Sequence, residues 1–278
     1  METVAIVGVG LIGASFGLAL RKSGFKGELI GVSSPNAIAG GLARGAISSA
    51  APLLEAVQRA DLVYLAQPVD RILQTIPLLA PALRPSTLVT DAGSTKEQIV
   101  ACALTHLPRG SFLGGHPIAG KEQRGAEAAD EDLFCDRHYI LTPTDSLNER
   151  AEAFRQVIYS LGVMVVEMSP QEHDATLALT SHLPQLLSTA LAATLSRDKT
   201  HRVTEVFGTG LLDMTRLALS SSELWSSILG TNRTQVSIAV DEFLKVLTDL
   251  RANLGECEIA DTFEEAGKFA SKIRNLPS

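Results

Sequence analysis

The sequence predicts an α/β protein in two parts, a doubly wound parallel sheet in the first half and an all-α domain in the second. Three observations carry that reading. Short, continuous apolar runs alternate with helical stretches as far as residue 168; the run Gly8-Val9-Gly10-Leu11-Ile12-Gly13 joins the first of them to a helix; and from Ser169 onward the strand signal ends. Strands that read as unbroken apolar runs between helices belong to parallel sheets covered on both faces.

Taken in order, VAIVGV predicts the first strand and LIGASFGLALRKSG the first helix. ELIGVS is the second strand and an Ala-rich stretch follows it. DLVYLAQP leads into a proline-punctuated helix, and TLVTDAGS and SFLGGHP are further short apolar runs closed by turn residues. YILTPT at 139–144 and GVMVVEM at 162–168 predict two more strands, with a helix from Glu149 to Leu161 between them. The first domain is therefore expected over 1–168 and the second over 169–278. In the second, QEHDATLALTSHLPQLLSTALAATLSR reads as helix, which Pro184 should kink or interrupt because it offers no N–H and crowds the preceding turn. After the glycine-bearing turn VFGTGLLDMTRLAL, one long helix is expected to start at Ser222 with Glu223.

Composition narrows the function. The 278 residues carry a net charge of −7, with 45% hydrophobic and 20% charged residues, as in an ordinary globular chain. No basic run suits a phosphodiester backbone, so nucleic acid is not an expected partner, and an anionic substrate would need a local basic pocket. Cys102, Cys135 and Cys257 are odd in number and widely spaced, which argues against a disulfide framework and a zinc site. No metal is expected. METVAIVGVG opens on a strand pattern without a signal-like region, and no run of about 18 apolar residues occurs, so a cytoplasmic protein without a membrane partner is expected.

The glycine run follows a strand and opens a helix, the context in which G-x-G-x-x-G marks a dinucleotide site. Gly8 permits the tight turn, Gly10 lets backbone amides approach a pyrophosphate, and Gly13 allows close packing of helix on strand, with Leu11 and Ile12 between them. NAD-preferring sites carry a carboxylate at the end of the second strand, where it grips the ribose 2′-OH. Here that strand ends Gly31-Val32-Ser33-Ser34. Ser33 and Ser34 would not repel a 2′-phosphate, yet no arginine stands beside them. NAD and NADP both remain open, and the balance leans to NADP.

A nicotinamide cofactor accepts hydride, and oxidising an alcohol also needs a base for the hydroxyl proton, a task suited to imidazole near neutral pH. His106, His138 and His201 lie in polar or turn-like text and are expected at the surface. His116 ends an apolar run and should stand at the carboxyl end of the sheet, where ligands of open α/β folds bind. Ser94 and Lys96 follow another strand to the same edge, Ser94 reading equally as a helix cap.

TDAGSTK, GGHPIAGKEQRG, SPQEHD, SHLPQ and GTGLLDMTR occur here in an order and spacing similar to the prephenate/arogenate dehydrogenase family of tyrosine biosynthesis. The resemblance runs from residue 4 to about residue 250. It implies a Rossmann-like domain joined to a helical dimerisation domain, hence a homodimer, with the active site in the cleft between the domains. Matched by position, His116 resembles the family's catalytic base and Ser94 the serine that orients it. Arg216 resembles the arginine that holds a substrate carboxylate, a task for which a planar guanidinium is suited. His182, Gln185 and Glu122 also fall on family positions that face substrate. For Lys96, Lys121, Glu122 and Arg124 a solvated loop position is the competing reading, and His173 with Asp174 reads first as a structural hinge network.

One departure matters: where several prephenate-using members read His-Leu-Pro-His, this chain reads His182-Leu183-Pro184-Gln185. A neutral Gln185 brings no carboxylate to pair with an ammonium, which tilts the reading from arogenate toward prephenate. The expected reaction is oxidative decarboxylation of prephenate to 4-hydroxyphenylpyruvate. Arogenate dehydrogenase is the alternative, followed by a β-hydroxyacid-type dehydrogenase and a non-catalytic nucleotide-binding module. The β-hydroxyacid enzymes resemble one another in using an interdomain lysine, and the helical half here has no lysine before Lys199. About two dozen residues follow the long helix, fewer than a typical regulatory domain needs, so neither a fused mutase nor a C-terminal sensor is expected.

Overall fold

β1 (Thr3–Val7) is buried along four of its five residues, as a central strand covered on both faces must be. The computed structural model describes residues 1–121, 123–144, 149–199 and 202–275. After β1 come α1 (Leu11–Lys22), β2 (Glu28–Val32), α2 (Pro35–Ala43), a two-residue β3 (Ser49–Ala50), α3 (Leu53–Arg59), β4 (Leu62–Leu65) and α4 (Val69–Leu79). Then follow β5 (Leu88–Asp91), α5 (Glu97–His106), β6 (Phe112–Pro117), β7 (His138–Thr142), α6 (Glu149–Ser160) and β8 (Met164–Glu167). The remainder is helical: α7 (Pro170–Leu177), α8 (Leu183–Leu195), α9 (Thr209–Thr215), α10 (Ser222–Thr231), α11 (Arg233–Ala252) and α12 (Ile259–Arg274). No described helix is long and apolar enough to cross a membrane.

The eight strands form one sheet in the order β3-β2-β1-β4-β5-β6-β7-β8. Alternate side chains feed two cores. Val4, Ile6, Leu62, Tyr64 and Leu88 meet Phe16 and Leu20 of α1 and Phe154 of α6 on one face. Ala5, Val7, Val63, Leu65 and Val89 meet Val57, Ile72, Ile76 and Ile99 of α3, α4 and α5 on the other. The Phe16 and Tyr64 rings stack at 3.8 Å, an arrangement that contributes about 1 kcal/mol beyond the area buried.

The sheet is mixed rather than wholly parallel, which corrects the sequence expectation. β6 and β7 pair antiparallel, Gly114 opposite Thr142 and Pro117 opposite Tyr139, while β7 and β8 run parallel to each other. The cause lies in residues 118–137. A parallel neighbour requires a crossover to the far edge, usually through a helix. Here the connection leaves and returns at one edge, tied at its root by the Ile118 N–H to the His138 carbonyl (2.8 Å). Between those points it buries Ala126, Ala129, Leu133 and Phe134 in the core shared with α1.

By packing, the chain divides into Met1–Leu177 with Leu219–Asn232, and Ala178–Ala218 with Arg233–Ser278. The sequence reading places its join at 168, before α7. In the first unit α7 lies against α5 and β7, and α10 against α4. The single long helix expected from Ser222 is two helices. Ser221 caps α10 by accepting the Leu224 N–H, and Asn232 separates α10 from α11, its buried side-chain amide donating to the Asp174 carbonyl (2.7 Å).

In the second unit α8 is preceded by the π turn Ala178–His182, the widening that Pro184 imposes where it withholds an N–H from the carbonyl four residues back. Few side chains of this unit are buried. Val206, Phe207, Met214, Leu254, Phe263 and Phe269 are each more than half exposed.

Candidate active site

The β1–α1 turn is built by its glycines, each for a different reason. Gly8 has φ +97°, and a Cβ there would stand 2.6 Å from the Ala66 carbonyl oxygen. At Gly13 a Cβ would stand 2.0 Å from the Gly8 carbonyl oxygen, so only hydrogen fits where helix meets strand. At Gly10, the residue that caps α1, a Cβ would meet nothing within 4 Å, and no side chain caps the helix. The uncapped helix start therefore leaves room beside the backbone for a ligand, as pyrophosphate binding requires. Leu11 and Ile12 are half-buried and anchor the first turn of α1 on the core. The sheet order reverses at β1 and β4, the crevice in which such folds hold dinucleotides. At the end of β2, Ser33 and Ser34 are exposed, and the Ser34 hydroxyl makes no capping bond to α2.

His116 stands near the carboxyl end of β6, only 9% exposed. Its Nδ1 lies 2.8 Å from Nε2 of His173, with the rings tilted by 56°. His173 Nδ1 lies 2.7 Å from Asp174 Oδ1. The carboxylate of Asp174 also accepts the backbone N–H groups of Lys96 (2.7 Å) and Glu97 (3.0 Å), capping α5 from another element. Asp174 itself is placed by a capping box, Ser169 and Glu172 bonding reciprocally to each other's backbone N–H at the start of α7. Burial holds the His173 imidazole below its ordinary pKa, against the opposing hydrogen bond that it donates to Asp174.

Lys96 overturns the solvated alternative. It is fully buried, its ammonium donating to Asp91 Oδ2 and to the Gly115 carbonyl (2.8 Å) next to His116. Asp91 accepts the N–H groups of Gly93 (2.8 Å) and Gly115 (3.1 Å). Burial pulls the Lys96 ammonium below the ordinary lysine value, with the charge of Asp91 opposing. Ser94 sits half-buried in this β5–α5 turn. Thus the first unit brings the glycine turn, Ser94 and His116 to one sheet edge.

Lys121 and Arg124 are exposed, Lys121 paired with Asp130 at 2.6 Å. His106 and His138 are exposed as expected, while Glu122 and His201 lie outside the described residues. The second unit holds His182 and Gln185, both buried, and Arg216, exposed at the end of α9. Gln185 Nε2 donates to the Leu217 carbonyl (2.8 Å) and to Thr189 Oγ1 (3.2 Å), and among the described residues its Oε1 has no partner. Sequence reading passed over the link from His173 and Asp174 to His116. The available signal was SPQEHD, a capping box followed at once by an imidazole and a carboxylate.

A glycine turn at the switch point of a doubly wound sheet, with a titratable ring on the same edge, is the arrangement of dinucleotide-dependent dehydrogenases. Residues 16–167 match the prephenate dehydrogenase nucleotide-binding domain, and residues 169–269 the prephenate dehydrogenase dimerization domain. Among relatives, the prephenate dehydrogenase of Bacillus subtilis (strain 168) is 33% identical over 99% of this chain and 76% of its own length. The crystal structure of prephenate dehydrogenase from A. aeolicus in complex with hydroxyphenyl propionate and NAD+ superposes with TM-score 0.91, at 33% identity and 98% coverage of both chains. Synechocystis arogenate dehydrogenase superposes with TM-score 0.84, at 31% identity, over 98% of this chain and all of that one (100%). The chain belongs to the prephenate dehydrogenase family, with a nucleotide-binding domain followed by a helical dimerisation domain.

Proposed function

We propose that the protein oxidatively decarboxylates prephenate to 4-hydroxyphenylpyruvate and carbon dioxide, with reduction of NAD or NADP. The observation that carries this reading is His116, buried on the sheet edge that also bears the Gly8–Gly13 turn. His116 takes the proton of the ring hydroxyl and Ser94 helps orient the imidazole. Arg216 holds a substrate carboxylate by bidentate hydrogen bonding, and His182, Gln185 and Glu122 are further substrate-binding residues. The backbone N–H groups at Gly10 and the first turn of α1 hold the pyrophosphate, and Ser33 and Ser34 face the ribose. The dinucleotide, when bound, supplies the hydride acceptor. Loss of carbon dioxide aromatises the ring, so the residues need only align the reacting atoms and neutralise charge.

The uncrowded backbone at Gly10 supports a dinucleotide. The absence of a carboxylate among Ser33, Ser34, Pro35 and Asn36 supports tolerance of a 2′-phosphate. The exposed apolar side chains of the helical unit support a homodimer formed through it. Arogenate is a second reading, favoured by one observation. With Nε2 of Gln185 engaged, its Oε1, which has no partner among the described residues, suits an ammonium donor better than a keto oxygen. Steady-state kinetics with both substrates crossed with both cofactors test the assignment. His116→Asn should lower kcat by about 10²–10⁴-fold while cofactor affinity holds; an unchanged kcat would refute the base.

A further inference from the structure

We infer that His173 and Asp174 are positioning residues that fix the His116 ring as its Nδ1-protonated tautomer, leaving Nε2 as the proton acceptor. The inference rests on the assignment of His116 as the base. Its geometry is a chain of three side chains, Asp174 Oδ1 to His173 Nδ1 at 2.7 Å and His173 Nε2 to His116 Nδ1 at 2.8 Å. A carboxylate that already accepts two backbone N–H groups offers no proton, so His173 Nδ1 donates to it. Burial disfavours the charged form of His173, so the ring carries a single proton and its Nε2 accepts. His116 Nδ1 must therefore donate.

The consequence for the base is twofold. A neutral His116 with hydrogen on Nδ1 has its lone pair on Nε2, and the ring cannot rotate without breaking the bond to His173. When the hydroxyl proton arrives at Nε2, the new imidazolium keeps its Nδ1–H bond to an acceptor backed by a carboxylate, which stabilises the cation. No proton need leave His116 during the step. The strand is held as well, since Lys96 bonds the Gly115 carbonyl. Asp174 from α7, Asp91 from the end of β5 and Lys96 from the start of α5 are the charged groups that act on the His173 ring.

Two measurements on the full-length protein test the inference. In the ¹⁵N-labelled wild-type protein, long-range proton–nitrogen correlations, assigned with His116→Gln, should show neutral His116 protonated at Nδ1; protonation at Nε2 overturns it. In kinetics, His173→Phe removes the acceptor, whereas His173→Gln keeps a carbonyl oxygen for the Nδ1–H. The Phe variant should lose about 10–100-fold in kcat, move the acid limb of kcat/KM to lower pH and leave KM for the cofactor unchanged, and the Gln variant should recover most of the loss. A folded Phe variant with wild-type kcat and acid limb, or a Gln variant no better than Phe, defeats the inference. If Phe prevents folding, the tautomer measurement decides. A wild-type turnover in His116→Asn would remove the base assignment but leave the measured tautomer standing, so the two failures are distinct.

Discussion

Two helices of the first unit, α1 and α5, begin at the same sheet edge and handle the N–H groups of their first turns in opposite ways. α1 starts at Gly10, with no side-chain cap and no acidic residue in its first turn. α5 starts at Lys96 with Glu97 in its first turn, and the carboxylate of Asp174 binds the N–H groups of both residues. A helix N-terminus favours negative charge. One end is arranged to take that charge from a phosphate, and the other takes it from the protein. The difference separates two duties along one edge: α1 is the ligand-binding end, while α5 anchors the carboxylate from which His173 and His116 are aligned.

Breaking the internal cap should have the largest effect. Asp174→Ala leaves Lys96 N–H, Glu97 N–H and His173 Nδ1–H without their acceptor in a buried place, at a cost of about 3 kcal/mol. Urea denaturation measures it, and a loss under about 1 kcal/mol would mean that solvent replaces the cap at α5 as readily as at α1.

The open end is tested by separating its glycines. Gly13→Ala places a Cβ 2.0 Å from the Gly8 carbonyl oxygen, and should destabilise the fold by about 1–3 kcal/mol as well as abolish dinucleotide binding. Gly10→Ala meets no protein atom within 4 Å and should change stability by less than about 1 kcal/mol, yet weaken dinucleotide binding about tenfold or more. Equal stability losses in melting curves, or wild-type affinity in the Gly10 variant by calorimetry, would contradict the assignment of that space to a ligand.

A smaller effect distinguishes the two ends by pH. Folding holds the pKa of His173 below the ordinary imidazole value of 6.5, chiefly by burial, so the unfolded chain binds the proton first as pH falls. The stability tied to this ring is fully present above pH 6.5 and declines as the pH falls from there toward the lower folded value. His173→Gln should flatten that part of the curve of unfolding free energy against pH. An identical slope in wild type and variant would place the ring outside the linkage.

The residues that make this contrast were unequally legible in the sequence. Gly8, Gly10 and Gly13 announce their roles because the turn is local, and strand, glycine spacing and helix are contiguous. β1, β2, β4, β5 and β6 were readable for the same reason, each being a continuous apolar run. Register and direction are not local properties. That β7 runs against β6 depends on where residues 118–137 pack, and no apolar run encodes it. Lys96 reads as a solvated charge until Asp91 of β5 and the Gly115 carbonyl of β6 are brought around it. His173 was invisible as a partner of His116 because 57 residues separate them. Pro184 signalled the disturbed turn in the second unit, but Asn232, in the first, breaks the long helix through a bond to the distant Asp174 carbonyl.

The connection between β6 and β7 carries a consequence for how the protein tolerates change. Long irregular stretches are ordinarily where proteases nick and where insertions are accepted. Here Ala126, Ala129, Leu133 and Phe134 are seated in the core, and the Asp130 N–H bonds the Ser15 hydroxyl in the middle of α1. Lengthening the segment from 126 to 134 would therefore prise apart the first helix and the last strands, and the sites open to cleavage or to grafted sequence lie elsewhere on the chain.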